Sequence, residues 1–80
     1  MKTVTVQYFA ILREQRGLAE ETVTTAAKTP GGLYTELRLR HGFSLAADRV
    51  RAAINDEFVS ATAPLKADDR VVFIPPVAGG

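Results

Sequence analysis

Apolar and polar residues alternate from the beginning of the chain. Val4, Val6 and Tyr8 are separated by threonine and glutamine, and a period of two is typical of a half-buried β-strand. A weaker strand is predicted over residues 21–25, at an edge of the sheet. Between these strands, residues 10–16 predict a short helix, and the glycine after them can adopt the left-handed conformation that ends a helix.

A longer helix is predicted to begin at Pro30. The Thr29 side chain can accept a hydrogen bond from the first turn, and proline is tolerated at the first helical position because no N–H is needed there. Leu33 and Leu37 lie one turn apart, which predicts a buried face, and Gly42 is expected to end the helix. The two glycines after Pro30 weaken its first turn.

Three more strands are predicted in the second half of the chain. Residues 50–54 alternate, Asn55 and Asp56 have the composition of a tight turn, and residues 57–59 return as a short strand. Residues 70–74 form the strongest strand of all. They are apolar on both faces, which is typical of a strand in the middle of a sheet.

The order of these elements predicts the fold class. Two strands, one main helix and three more strands favour an α+β domain with the helix on one face of a mixed sheet. The last strand is expected to pair in parallel with the first at the sheet centre, which is the arrangement of the ubiquitin-like β-grasp fold. The domain is predicted to span residues 1–76.

Composition limits the classes of function. The chain of 80 residues is 46% hydrophobic and 24% charged, which suits one folded domain, and its net charge of +1 favours neither nucleic acid nor a membrane as partner. It has no cysteine, so disulfides, thiolate metal sites and a cysteine nucleophile are excluded. Neither a signal peptide nor an apolar run of about 18 residues is present, and we expect a cytoplasmic protein.

No set of side chains points to catalysis. His41, the single histidine, is expected at the end of the main helix, where a cation meets the helix dipole. Asp68 and Asp69 are neighbours in a predicted turn and lack the further ligands that calcium needs. Gly31 and Gly32 lack the lysine and hydroxyl residue of a phosphate-binding loop. We therefore expect no metal, no cofactor and no ATP cleavage by this chain alone.

The strongest functional signal follows the last strand. Pro75 and Pro76 cannot donate to a sheet ladder, and a proline pair favours a stiff, extended backbone. Residues without large side chains can then enter a narrow tunnel in another protein. The sequence therefore predicts an extended tail made of Val77, Ala78, Gly79 and Gly80.

The carboxylate of Gly80 is the predicted working group. With a pKa of about 3.3–3.7, such a carboxylate is ionised and unreactive toward nucleophiles at neutral pH. It must therefore be activated first. An acyl-adenylate made by a partner and displaced by sulfur would leave a thiocarboxylate, whose sulfur is a better nucleophile than the oxygen it replaces.

Three blocks of the sequence carry a family resemblance. They are Tyr8-Phe9-Ala10 with Arg13-Glu14, then Val50-Arg51-Ala52-Ala53-Ile54-Asn55 with Val59-Ser60, and finally Pro64-Leu65 with Asp69 through Gly80. On these residues the chain resembles the small subunit of molybdopterin synthase, the molybdopterin-converting factor small subunit. One departure is Ala67-Asp68-Asp69, where the family usually has a glycine-containing acidic turn.

The resemblance implies a sulfur carrier that is not catalytic alone. A separate ATP-dependent adenylyltransferase would activate Gly80, and a sulfur donor would convert it to a thiocarboxylate. The tail would then enter the large subunit of molybdopterin synthase, in an assembly of two small and two large subunits. Sulfur would pass to cyclic pyranopterin monophosphate and form the dithiolene of molybdopterin, with catalytic side chains on the large subunit.

Other functions stay open at this point. A carrier for thiamine thiazole synthesis would share the fold and the tail chemistry, a ubiquitin-like protein modifier would join Gly80 to lysines, and a plain interaction domain would not need Gly80. A docking surface is expected in most of these cases, because one helix cannot cover both faces of an apolar central strand. The candidate interface residues are Phe9, Phe73, Ile74, Pro75 and Pro76.

Overall fold

The computed structural model describes residues 1–76, which form one mixed sheet with two α-helices. A short 3-10 turn at Ala47–Arg49 lies in the irregular loop before the third strand. The elements are β1 (Lys2–Tyr8), α1 (Ala10–Arg16), β2 (Glu20–Thr25), α2 (Pro30–His41), β3 (Arg51–Ile54), β4 (Glu57–Val59) and β5 (Arg70–Ile74).

The sheet has five strands in the order β2-β1-β5-β3-β4. β5 pairs in parallel with β1 and antiparallel with β3, while β2 and β4 form the two edges. Leu33, Tyr34 and Leu37 of α2 join the inward-facing residues of the sheet in one buried cluster. The predicted β-grasp, with a central last strand and an edge position for β2, is therefore confirmed.

The central strand β5 is buried on both faces. Val71 and Phe73 are 0% and 1% exposed on the face that α2 covers, and Val72 is 7% exposed on the opposite face. Phe73 lies in register with Tyr8, and its ring makes an edge contact with the Tyr34 ring of α2, with ring centroids 5.3 Å apart. The inclusion of Phe73 among the interface residues was wrong, because strand alternation turns this side chain toward α2.

Local signals set the ends of the helices as predicted. The Thr29 hydroxyl oxygen accepts a hydrogen bond from the Gly32 N–H at 3.0 Å, and Gly42 ends α2 with φ at 73°. Gly31 has a second role, since a Cβ added there would lie 3.0 Å from the carbonyl oxygen of Ala61, to which the Gly31 N–H donates. The absence of a side chain thus lets the first turn of α2 pack against this loop.

Side-chain hydrogen bonds join the turn between β3 and β4 to the acidic turn that comes before β5. Asn55 and Asp56 have φ of 50° and 73°, as in the tight turns that match the twist of a hairpin. The Asn55 amide donates to the Asp69 carboxylate at 3.0 Å and accepts from the Arg70 N–H. Asp68 has φ of 67°, so an aspartate takes the left-handed position in the acidic turn where the resemblance leads one to expect glycine.

Candidate functional site

The candidate site is built around the end of the central strand. β5 ends at Ile74, which is half-buried, and the chain continues through Pro75, which is buried, and Pro76, which is exposed. The burial of Pro75 removes it from the exposed interface that the sequence predicted. The tail residues Val77, Ala78, Gly79 and Gly80, including the predicted working group, lie outside the described residues.

An apolar surface lies beside this end of β5, on the sheet face opposite α2. The register of the strands places Val72, Ala53 and Phe58 side by side across β5, β3 and β4. Ile74 lies two residues further along β5 on the same face. Phe58 is 60% exposed, so a large aromatic side chain projects from this face into solvent.

Phe9 extends the same surface across β1. It follows Tyr8, which points into the core, and its backbone is extended at φ −124° and ψ 154°, so its side chain continues the alternation toward the opposite face. Phe9 is 49% exposed. We give the name open-face patch to Phe9, Phe58 and Ile74 together with the buried Ala53 and Val72 that lie between them in the sheet.

Sequence reasoning found part of this patch and missed part of it. Phe9 and Ile74 were predicted as interface residues, and the structure places both on the open-face patch. Phe58 was not predicted, because it was taken only as a member of a short strand. Its alternation with Val59, which packs against the core, was a signal that it faces outward.

A partly buried polar cluster holds α1 against β1 and β2 behind the patch. The Tyr8 hydroxyl donates to the Glu21 carboxylate at 2.6 Å, and the Arg16 guanidinium donates twice to the same carboxylate at 2.8 Å. The hydrogen bonds from Arg16 hold the pKa of Glu21 down at about 2, while burial raises the pKa of Tyr8. The cluster thus fixes the helix that begins directly after Phe9.

His41 lies at the edge of this cluster and has a structural environment. Its Nε2 atom is 3.8 Å from a Glu21 oxygen, and its ring packs beside Phe43. Burial and the nearby Arg16 charge lower the pKa of His41, so the neutral imidazole is favoured. This differs from the expected cation at a helix end, because desolvation and the Arg16 charge outweigh the attraction of Glu21.

The described residues offer little that could hold a small ligand. Among residues 1–76, no group of three or more His, Asp or Glu side chains is arranged to bind a metal ion. A cavity of about 180 Å³ lies between the beginning of α2 and the β3–β4 hairpin, and Arg51 is the only charged residue among its described lining residues. No helix within residues 1–76 is long and apolar enough to cross a membrane.

The fold defines a ubiquitin-like β-grasp protein with an apolar sheet face beside the exit of its last strand. Residues 6–80 match the model of the ThiS family, and the chain belongs to that family. It is a ubiquitin-like sulfur carrier of the ThiS family. No curated protein matches the sequence at a significant level.

Solved structures show where this fold has been seen before. A putative molybdopterin converting factor subunit 1 from Pyrococcus furiosus is 30% identical, with a TM-score of 0.76 over 96% of this chain and 100% of that one. In the BexX/CysO complex of Amycolatopsis orientalis, a chain is 27% identical, with a TM-score of 0.69 over 96% and 99% of the two chains.

SAMP1 from Haloferax volcanii, a small archaeal modifier protein, is 24% identical, with a TM-score of 0.75 over 98% of this chain and 99% of that chain. At this level of identity the likeness shows the fold. The molybdopterin resemblance of the sequence is confirmed by the Pyrococcus match, and the same fold also occurs in proteins with other names.

Proposed function

We propose that this chain is the sulfur-carrying small subunit of molybdopterin synthase. The observation that carries the proposal is the exit of the central strand, where Pro75 and Pro76 lead out of the sheet beside the open-face patch. A partner that covers this patch would be next to the beginning of the tail, residues 77–80. The 30% identity to a putative molybdopterin converting factor subunit 1 supports this choice among sulfur carriers.

In the proposed chemistry the Gly80 carboxylate gains and then loses one sulfur atom. An ATP-dependent adenylyltransferase would form an acyl-adenylate with release of pyrophosphate, and a sulfur donor would displace AMP to leave a thiocarboxylate. The thiocarboxylate sulfur would attack cyclic pyranopterin monophosphate in the large subunit, and water would return the carboxylate. Because activation consumes ATP, we expect the carrier to act in the cytoplasm.

Docking is proposed to use the open-face patch, and the reacting groups to come from the partners. Phe9, Phe58 and Ile74 offer exposed or half-buried apolar surface on the sheet face opposite α2, and such surfaces mark sites of protein contact. Catalytic side chains would lie on the large subunit. Two small and two large subunits would assemble, so that each tail enters one large subunit.

A second candidate keeps the carrier chemistry and changes the acceptor. The family model that matches the chain is the ThiS family, which favours a test against thiazole synthase beside molybdopterin synthase. The two candidates differ only in which acceptor enzyme binds the open-face patch and consumes the thiocarboxylate. Sulfur transfer measured with each acceptor in turn distinguishes them.

The decisive experiment measures sulfur transfer by a chain that lacks Gly80. Intact mass should show a sulfur-for-oxygen exchange in the wild-type chain after incubation with adenylyltransferase, ATP and sulfide, and molybdopterin should form once the large subunit and cyclic precursor are added. Deleting Gly80 shortens the reach of an extended tail by roughly 3.3–3.6 Å. Reacting atoms must approach to about 3–3.5 Å, so both reactions should fail while folding stays intact.

Two exposed apolar residues provide a matched pair for docking. Phe58→Ser on the open-face patch should weaken capture of the large subunit, whereas Leu39→Ser on the outer face of α2, where the side chain is 84% exposed, should not. Full sulfur transfer by the chain without Gly80 would contradict the carrier proposal. Transfer to thiazole synthase alone would replace the molybdopterin acceptor with the second candidate.

A further inference from the structure

Arg51 is a charged residue on the same sheet face as the open-face patch. It begins β3 and pairs in register with Ile74, so it lies beside the last residue of β5. Its guanidinium carbon lies over the Phe58 ring, 4.5 Å from the ring centroid. By strand alternation Arg51 shares the open face with Ala53, Val72 and Ile74.

The guanidinium of Arg51 has no polar partner within residues 1–76. Three other arginines are engaged, since Arg16 pairs with Glu21, Arg40 pairs with Glu36, and Arg38 donates to the Phe43 carbonyl. Arg51 differs from the remaining arginines because an aromatic ring holds its guanidinium. Within the described part of the chain, the only recorded side-chain interaction of Arg51 is its contact with the Phe58 ring. Residues 1–76 therefore supply no acceptor for its N–H donors.

The contact with Phe58 prepares Arg51 for a specific partner group. An aromatic ring attracts the face of a guanidinium and leaves the N–H groups at its edge available. These N–H groups form a planar fork that matches the two oxygens of a carboxylate. Holding the side chain on the ring also reduces the rotamer entropy lost on binding.

Covering the open-face patch has an electrostatic consequence. A protein that buries Phe58 and Ile74 must also remove Arg51 from water, because the Arg51 guanidinium lies over the Phe58 ring and Arg51 is in register with Ile74. A buried cation without a partner is strongly unfavourable, whereas a buried pair with good hydrogen bonds is not. An anion of the docking protein at this point would offset that cost.

We propose that the docking partner presents an aspartate or glutamate carboxylate to Arg51, and that Arg51 held on Phe58 determines which proteins the carrier accepts. The identity of the partner as the large subunit rests on the proposed function. A competing protein with the same apolar shape but a neutral or basic residue at that point is rejected, because Arg51 then stays unpaired.

The test compares two charge reversals on the same sheet face. Arg51→Glu and Arg70→Glu change the net charge equally, but Arg70 lies at the other end of β5, opposite Thr5 and roughly 13 Å from Ile74 at about 3.3 Å per residue. Dissociation constants for the purified large subunit are measured by calorimetry. Arg51→Glu should raise Kd at least about thirtyfold and Arg70→Glu less than about threefold.

A charge exchange then identifies the carboxylate. Aspartates and glutamates of the large subunit are changed one at a time to lysine, and one of these variants should restore binding of Arg51→Glu by at least about tenfold while weakening the wild-type carrier. Arg51→Lys should bind with intermediate affinity, because it keeps the charge and loses the planar fork.

Each other outcome contradicts a defined statement. Equal weakening by Arg51→Glu and Arg70→Glu would show only long-range attraction and overturn the inference, as would the absence of any rescuing lysine. If the wild-type carrier binds the large subunit and Arg51→Glu binds it equally well, the inference is contradicted and the proposed function is not. A wild-type carrier that does not bind the large subunit contradicts the proposed function, and the inference with it. Circular dichroism checks that both variants keep the fold.

Discussion

Glu21 should control the acid stability of this domain. Its carboxylate accepts hydrogen bonds from the Arg16 guanidinium and the Tyr8 hydroxyl, and its side chain is 16% exposed. The hydrogen bonds from Arg16 lower its pKa from 4.5 to about 2, although burial acts in the opposite direction. The folded protein therefore holds this group ionised at pH values where the unfolded chain binds a proton.

The size of the effect follows from the pKa. A lowering from 4.5 to about 2 corresponds to roughly 3 kcal/mol at about 1.4 kcal/mol per pKa unit. Because the folded pKa is depressed, this stabilisation is present above about pH 4.5 and is lost as the pH falls toward 2. A total stability of about 5–15 kcal/mol is usual for a domain, so the loss is a large fraction.

The assay is urea unfolding of the wild-type chain and Glu21→Gln between pH 7 and pH 2.5. We expect Glu21→Gln to be less stable by roughly 3 kcal/mol at pH 7, and the difference to shrink toward zero as the pH falls. Other carboxylates titrate in both proteins, so the difference isolates Glu21. Glu20→Gln is the control, because Glu20 is exposed and, among residues 1–76, its side chain accepts only from Gln7. A difference that stays constant with pH would refute the reasoning.

Two further predictions use substitutions. The first distinguishes a core residue of β5 from a docking residue, and the second distinguishes tertiary packing from helix propensity. Phe73→Asp should unfold the domain or destabilise it by more than about 3 kcal/mol, because an aromatic core side chain is lost and a carboxylate is buried, whereas Ile74→Asp should stay folded by circular dichroism and lose capture of the large subunit. A Phe73→Asp variant as stable as the wild-type chain would contradict this assignment of faces. Gly31→Ala should lower the thermal midpoint although alanine favours helices, because its Cβ would lie 3.0 Å from the Ala61 carbonyl oxygen. Gly32→Ala is the comparison and should lower the midpoint less, because its Cβ would lie 3.2 Å from the Thr29 hydroxyl oxygen, a side-chain atom, and not against a backbone carbonyl.

The elements of the fold could be predicted because their signals are local. The alternation of Val4, Val6 and Tyr8 depends only on the period of a strand, and all three residues are buried as expected. Thr29 and Gly42 mark the ends of α2 through capping and a left-handed φ, which neighbouring residues decide among themselves. Even the central place of β5 follows from a run of apolar residues in one segment.

The candidate site was less predictable from the sequence, because its residues come together only through the pairing register of separate strands. Phe73 and Ile74 are adjacent and both apolar, so only the face on which α2 packs decides that Phe73 is core and Ile74 lies on the open-face patch. Phe58 joins the open-face patch because β4 pairs with β3 and β3 pairs with β5. No local pattern in the sequence contains that chain of pairings.

Sequence alone determined the class of fold, the core faces of β1 and α2 and the segment in which carrier chemistry is expected, because each depends on residue type and short-range spacing. Only the tertiary structure brought the Tyr8 hydroxyl and the Arg16 guanidinium to the Glu21 carboxylate. It also placed the Ala61 carbonyl against Gly31 and the Arg51 guanidinium over the Phe58 ring. These contacts join residues from different elements. Their geometry depends on how the sheet twists and how the helices pack on it, which neither hydrophobic period nor propensity encodes.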